Sequence, residues 1–86
     1  MLPKHTVGRM ARTVVVTPNK EKIRARREFL GLSASAVAAR MAPGRAAKTI
    51  YQIEYGIQHR VSKRLMEELA GALEQPIGEF IMQDAA

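Results

Sequence analysis

Apolar and polar positions recur along this chain with changing periods, and each change predicts a new element. Residues 13–17, Thr-Val-Val-Val-Thr, are β-branched throughout and stop at Pro18, which predicts a short extended strand. Asn19 then offers a helix N-cap, and Glu21 places a carboxylate where the helix dipole favours one. Ile23, Arg27 and Leu30 share a side at i, i+4 and i+7, with Ala25 and Phe29 beside them, so a first helix is expected over Lys20–Leu30, ended by Gly31. Arg27 interrupts that apolar stripe and requires an anion.

Ser33 caps a second helix that buries Val37, Ala38 and Met41, and its alanines leave room for another helix to cross closely. Ala42-Pro43-Gly44 breaks the pattern. A third helix, Arg45–Tyr55, turns Ala46, Ile50 and Ile53 inward and Lys48, Thr49, Tyr51, Gln52 and Tyr55 outward, and Gly56 closes it. After a loop at Ile57–Val61, Ser62 caps a fourth helix through Leu73, with Leu65, Leu69, Ala72 and Leu73 inward and Met66 at the edge. Pro76 introduces a short fifth helix, Ile77–Met82, showing Ile77, Phe80 and Ile81. Met1–Arg12 has no apolar period and carries Lys4, His5, Arg9 and Arg12, the composition of a flexible basic arm. The expected fold is therefore all-α: a compact five-helix bundle over residues 19–86, preceded over residues 1–18 by the arm and the extended segment. That strand needs a partner, either its equivalent in a second subunit or the helices it packs across.

A chain of 86 residues supports one core and leaves little room for an enclosed active site. It has no Cys, and His5 and His59 have no neighbouring ligand set, so neither disulfides nor a metal centre are expected. No nucleophile–base pair or phosphate loop is legible, which points to binding rather than catalysis, without a cofactor. No apolar run approaches the roughly 18 residues of a membrane span, and no signal-peptide stretch opens the chain, so a cytoplasmic protein with no membrane partner is expected. The net charge of +6 is polarised: residues 1–48 hold eleven Lys and Arg against Glu21 and Glu28, whereas residues 49–86 hold three against six acids. Such a field steers a polyanion to one side of the molecule, although a basic surface is also simply well solvated.

Gly31–Gly56 reads as two short helices around a Pro-Gly turn, the second with an exposed polar row, which is the pattern of a helix-turn-helix set in a DNA groove. Gln52 has the chemistry to read adenine bidentately, Lys48 to read guanine acceptors, and Tyr51 to touch a thymine methyl or a phosphate. Thr49 either contacts the backbone or packs. Arg45, at the expected start of the third helix, suits a phosphate already drawn by the helix dipole, and Ser33 caps first and meets phosphate second. Tyr55 joins the backbone candidates, as do Arg60, Lys63 and Arg64. Two cations at a helix start oppose its dipole and require a compensating anion. Lys4, Arg9 and Arg12 have the charge to enter an adjacent groove. Each of these residues is also ordinary on a solvated helix.

Several of these pieces together resemble one family. Ile23-Arg24 and Arg27, Gly31-Leu32-Ser33, Val37-Ala38, Ile50-x-x-Ile53-Glu54-x-Gly56 and Leu69-Ala70-x-Ala72-Leu73, with a Pro/Ile/Glu/Phe ending, follow in the order of the phage repressor and Cro type of helix-turn-helix. The resemblance covers roughly Asn19–Met82. It implies a five-helix DNA-binding domain, shared by bacterial regulators and antitoxins, in which Arg27 and Glu54 take the places of a buried ion pair and Arg64 that of an arginine entering a minor groove. The chain departs from the pattern in four places. The turn at residues 42–47 is about two residues longer, Ala34 replaces a phosphate-gripping Gln for which Ser35 substitutes only in part, Arg26 replaces a Leu, and Ile57–Val61 is longer.

One recognition helix reads few base pairs, so a homodimer on a palindrome is expected, with Val14 and Val16 or Ile77, Phe80 and Ile81 as contacts. The last three residues serve equally to close the chain's own core. The expected function is sequence-specific, double-stranded DNA binding by a transcriptional repressor. The alternatives are an antitoxin, whose decisive partner is a toxin protein, and a helical protein-interaction module.

Overall fold

The computed structural model describes residues 14–82; the candidate arm residues Lys4, Arg9 and Arg12 lie outside the described residues. The chain forms four α-helices, α1 at Lys20–Phe29, α2 at Ala34–Arg40, α3 at Ala47–Glu54 and α4 at Lys63–Ala72, and all but α3 start at a side-chain cap. Asn19 Oδ1 accepts from the Lys22 amide at 3.3 Å, and the hydroxyls of Ser33 and Ser62 accept from Ala36 and Leu65, each at 3.0 Å. These bonds satisfy amides that the first helical turn leaves without partners.

The architecture departs from an all-α five-helix bundle in two ways. First, β1, Val15–Val16, pairs antiparallel with β2, Val61–Ser62, matching Val15 with Ser62 and Val16 with Val61. The β-branched segment thus has its partner inside its own chain, at the end of the expected loop and the Ser62 cap that follows it. Second, the region expected as a fifth helix makes only a 3₁₀ turn at Ile77–Glu79. Immediately beyond it Ile81 bridges to Pro18, the Asn19 amide donates to Phe80 O at 2.8 Å, and the Met82 amide donates to Thr17 O at 2.8 Å. Extended pairing captures the backbone that a helix there would need.

The core gathers Ile23 from α1, Val37 from α2, Ile50 and Ile53 from α3, and Met66, Leu69 and Leu73 from α4 and its end, all fully buried. Three inward assignments change. Met66 is in the centre and Leu65 only partly buried, because α4 presents Met66, Leu69, Ala70 and Leu73, an equally regular i, i+3, i+4, i+7 stripe. Ala47 packs on the core in place of Ala46, which is the exposed N-cap of α3. Phe29, placed beside the α1 stripe, is 77% exposed. Phe80 is 2% exposed within this chain's own core, with Ile77, Ile81 and Val16 packed against it, so Val14 is the one expected dimer contact left largely in solvent.

Two arginines from other helices finish α4. Arg26 Nε donates to Leu73 O at 2.9 Å, and the Arg40 guanidinium donates to Ala72 O at 3.0 Å and to Glu74 at 3.1 Å. Cations suit the negative end of a helix, so the Arg26 that replaces an expected Leu is occupied here, with its guanidinium also 5.1 Å above the Phe29 ring. No helix among the described residues is long and apolar enough to cross a membrane.

Candidate nucleic-acid interface

The orientation of α3 is set by what lies beneath it. Arg27 of α1 grips Glu54 with both arms of its guanidinium: Nε donates to Oε2 at 2.7 Å and Nη2 to Oε1 at 2.9 Å. Nη1 donates to Leu32 O at 3.0 Å, which ties the same side chain to the turn before α2. Glu54 is buried, and the hydrogen bonds it accepts hold Arg27 above its ordinary pKa, so the guanidinium stays charged. Together with Ile50 and Ile53 it fixes one side of α3 to the core. The opposite side is thereby fixed outward.

That outward side carries exposed Lys48, Tyr51 and Tyr55 and half-buried Gln52, with Thr49 also half-buried at its flank. Tyr51 and Tyr55, 44% and 65% exposed, stack nearly parallel with ring centroids 5.9 Å apart, which stiffens two side chains otherwise free in water. Ala46 supplies no side-chain cap, and while the Thr49 amide donates to Ala46 O at 3.0 Å, the two amides before it keep their donor capacity. At the other end the Gly56 amide donates to Ile53 O at 3.1 Å and the Ile57 amide to Gln52 O at 2.9 Å, the paired closure that needs a left-handed residue, and Gly56 has φ 76°. A Cβ at Gly56 would lie 3.0 Å from Lys20 Nζ, so glycine also lets that ammonium rest against the negative end of α3.

The basic candidates divide by whether an acid already holds them. Arg45 does not stand over the start of α3: it donates to Glu68 of α4 at 2.8 Å and braces the long turn. Lys63 and Arg64 lie 3.8 Å from Glu67 and Glu68. The compensating anions for the start of α4 are therefore carboxylates one turn along the same helix, and these are exposed, weakly held pairs. Lys48 and Arg60, both exposed, have no acidic partner among the described residues, and neither do Lys20 and Lys22. Ser33 is used as the α2 cap, and Ser35 is exposed on α2.

One residue that the sequence did not single out belongs to this surface. Gln58 Nε2 donates to Gln52 Oε1 at 3.3 Å, and the Gln58 amide donates to Gln52 O at 3.1 Å. Nothing in the spacing marks Gln58, because the contact depends on how the chain turns back after Gly56. Among the described residues no cluster of three His, Cys, Asp or Glu is suited to hold a metal ion.

The Arg45 bond to Glu68 has a consequence for acid stability. Hydrogen bonding from Arg45, aided by its charge, the Ala42 amide and Arg64, holds the Glu68 carboxyl below its ordinary 4.5. The contribution is fully present above that value and is lost as pH falls through the lowered one. Wild type is therefore expected to be more heat-stable than Glu68→Gln at pH 7, with the two melting curves converging in acid. Thermal melts across pH 2–7 check this.

Comparison of the chain with family models, with characterised proteins and with solved structures returns no match.

Proposed function

We infer that this chain is a sequence-specific, double-stranded DNA-binding regulator of transcription, a cytoplasmic repressor that acts as a homodimer on a palindromic operator with α3 in the major groove. The observation that carries the reading is the outward row of exposed Lys48, Tyr51 and Tyr55 with half-buried Gln52, on a helix whose other side is locked by Ile50, Ile53 and the Arg27–Glu54 pair. A helix fits the width of the major groove, and base edges there present the acceptors and donors that Lys and Gln match. Lys48 and the uncapped start of α3 supply positive potential toward phosphate, with Arg60 as a second backbone contact. Arg45 contributes less because Glu68 already holds it at 2.8 Å, whereas Lys63 and Arg64, in weak 3.8 Å pairs, remain able to meet phosphate, and the resemblance gives Arg64 a place at a minor groove.

Homodimerisation rests on the need for two half-sites, and exposed Val15 on β1, with Val14 just before it, is the contact that the packing leaves available. The chemistry is binding, without a catalytic group or cofactor. A second reading, a protein-binding module such as an antitoxin, is favoured by one observation: exposed Phe29 lies in a groove with Lys22, Ala25, Gln75 and Glu79.

Selection from a random duplex pool tests the reading. Wild type is expected to enrich a palindromic motif, and Gln52→Ala to lose preference at one position in each half-site. An absence of any enriched motif would overturn DNA reading and leave the protein-binding alternative.

A further inference from the structure

We propose that Gln58 sets the base preference of α3 by occupying the carbonyl oxygen of Gln52, so that Gln52 reads guanine rather than adenine. This rests on the DNA-binding reading above. A free glutamine amide offers one acceptor and two donor hydrogens, and it suits adenine because adenine displays an acceptor, N7, beside a donor, N6–H. Here the acceptor is engaged by Gln58 Nε2. Among the described residues the Gln52 Nε2 hydrogens meet no acceptor, so both donors are free while one of the two lone pairs of the oxygen is already used, and the side chain is biased toward donating. Guanine displays two acceptors, O6 and N7, on the same groove edge, whereas cytosine displays only a donor.

The position of Gln58 is built into the chain. Its backbone amide bonds the Gln52 carbonyl, and Gly56 in the left-handed conformation turns the chain back to make that contact. Gln58 is thus attached to Gln52 through both backbone and side chain. It touches no base in this account; it is a positioning residue that acts through the amide orientation of Gln52. Being exposed and outside the core, it is open to substitution without loss of the fold.

The test is selection from a random duplex pool with the full chain as wild type, Gln58→Leu and Gln58→Glu. Wild type is expected to prefer guanine about tenfold at the position that Gln52→Ala relaxes. Gln58→Leu frees the amide, and adenine should then compete at that position while the rest of the motif stays the same. Gln58→Glu, which accepts but does not donate, should turn the amide over and favour adenine or cytosine. Adenine preferred by wild type, or the same base preferred by all three proteins, overturns the proposal and leaves DNA reading intact. No enriched motif for any of them overturns both.

Discussion

Replacing Arg27 with Met is expected to lower the unfolding free energy by about 3–5 kcal/mol, a large share of the roughly 5–15 kcal/mol that holds a small domain together. The loss comes from what remains. Glu54 would be left buried with no partner for either oxygen, whereas in the wild type both accept from the same guanidinium. The double variant Arg27→Met with Glu54→Leu should recover most of that loss, because it removes both charges together. It should nevertheless bind DNA more weakly than wild type, since the bidentate geometry that sets the angle of α3 goes with them. Urea titrations with unchanged slope would measure the stabilities. A single-variant loss below about 1 kcal/mol would contradict a buried pair of this kind.

The second large effect separates the two sides of α3. Ile50→Ala, at a fully buried position, should cost about 2–5 kcal/mol of stability through lost burial and the cavity left behind. Lys48→Ala, on the exposed side and without an acidic partner, should change stability by no more than about 0.5 kcal/mol. In DNA binding the weights reverse. Lys48→Ala should cost about 1–3 kcal/mol of affinity for the selected site, whereas Ile50→Ala should act mainly through the fraction folded. Equal losses of stability from both would mean that the outward side of α3 is part of the fold rather than a surface for a ligand.

What was legible in the sequence was local. Asn19, Ser33 and Ser62 form the caps their positions suggest, and Gly56 ends α3 because that turn needs a left-handed residue. The inward direction of Ile23, Val37, Ile50, Ile53 and Leu69 follows from large apolar groups at helical spacing. Long-range partners were not legible. Val15–Val16 needed a strand, but nothing local distinguished Val61–Ser62 from a loop end and helix cap. Arg26 and Arg40 reach carbonyls 47 and 32 residues away, and the destination of a long flexible side chain is decided by packing. Arg45 was expected at a phosphate because Glu68, its partner, is distant in sequence. The choices between Ala46 and Ala47 and between Leu65 and Met66 were degenerate, since either set makes a regular stripe and only the neighbouring helices select one. At the candidate interface the outward row on α3 was legible from period alone, whereas the Gln52–Gln58 contact was not, because it exists only after the chain folds back past Gly56.

The central claim is that the outward side of α3 is the surface that meets DNA, and mapping backbone amide shifts of the isotope-labelled chain during titration with the selected duplex tests it most directly. The account predicts the largest shifts at residues 46–52, at Tyr55 and at Gln58, with small ones at Phe29 and along the buried stripe of α4. Shifts concentrated around Phe29, Lys22 and Glu79 with α3 unmoved would contradict it.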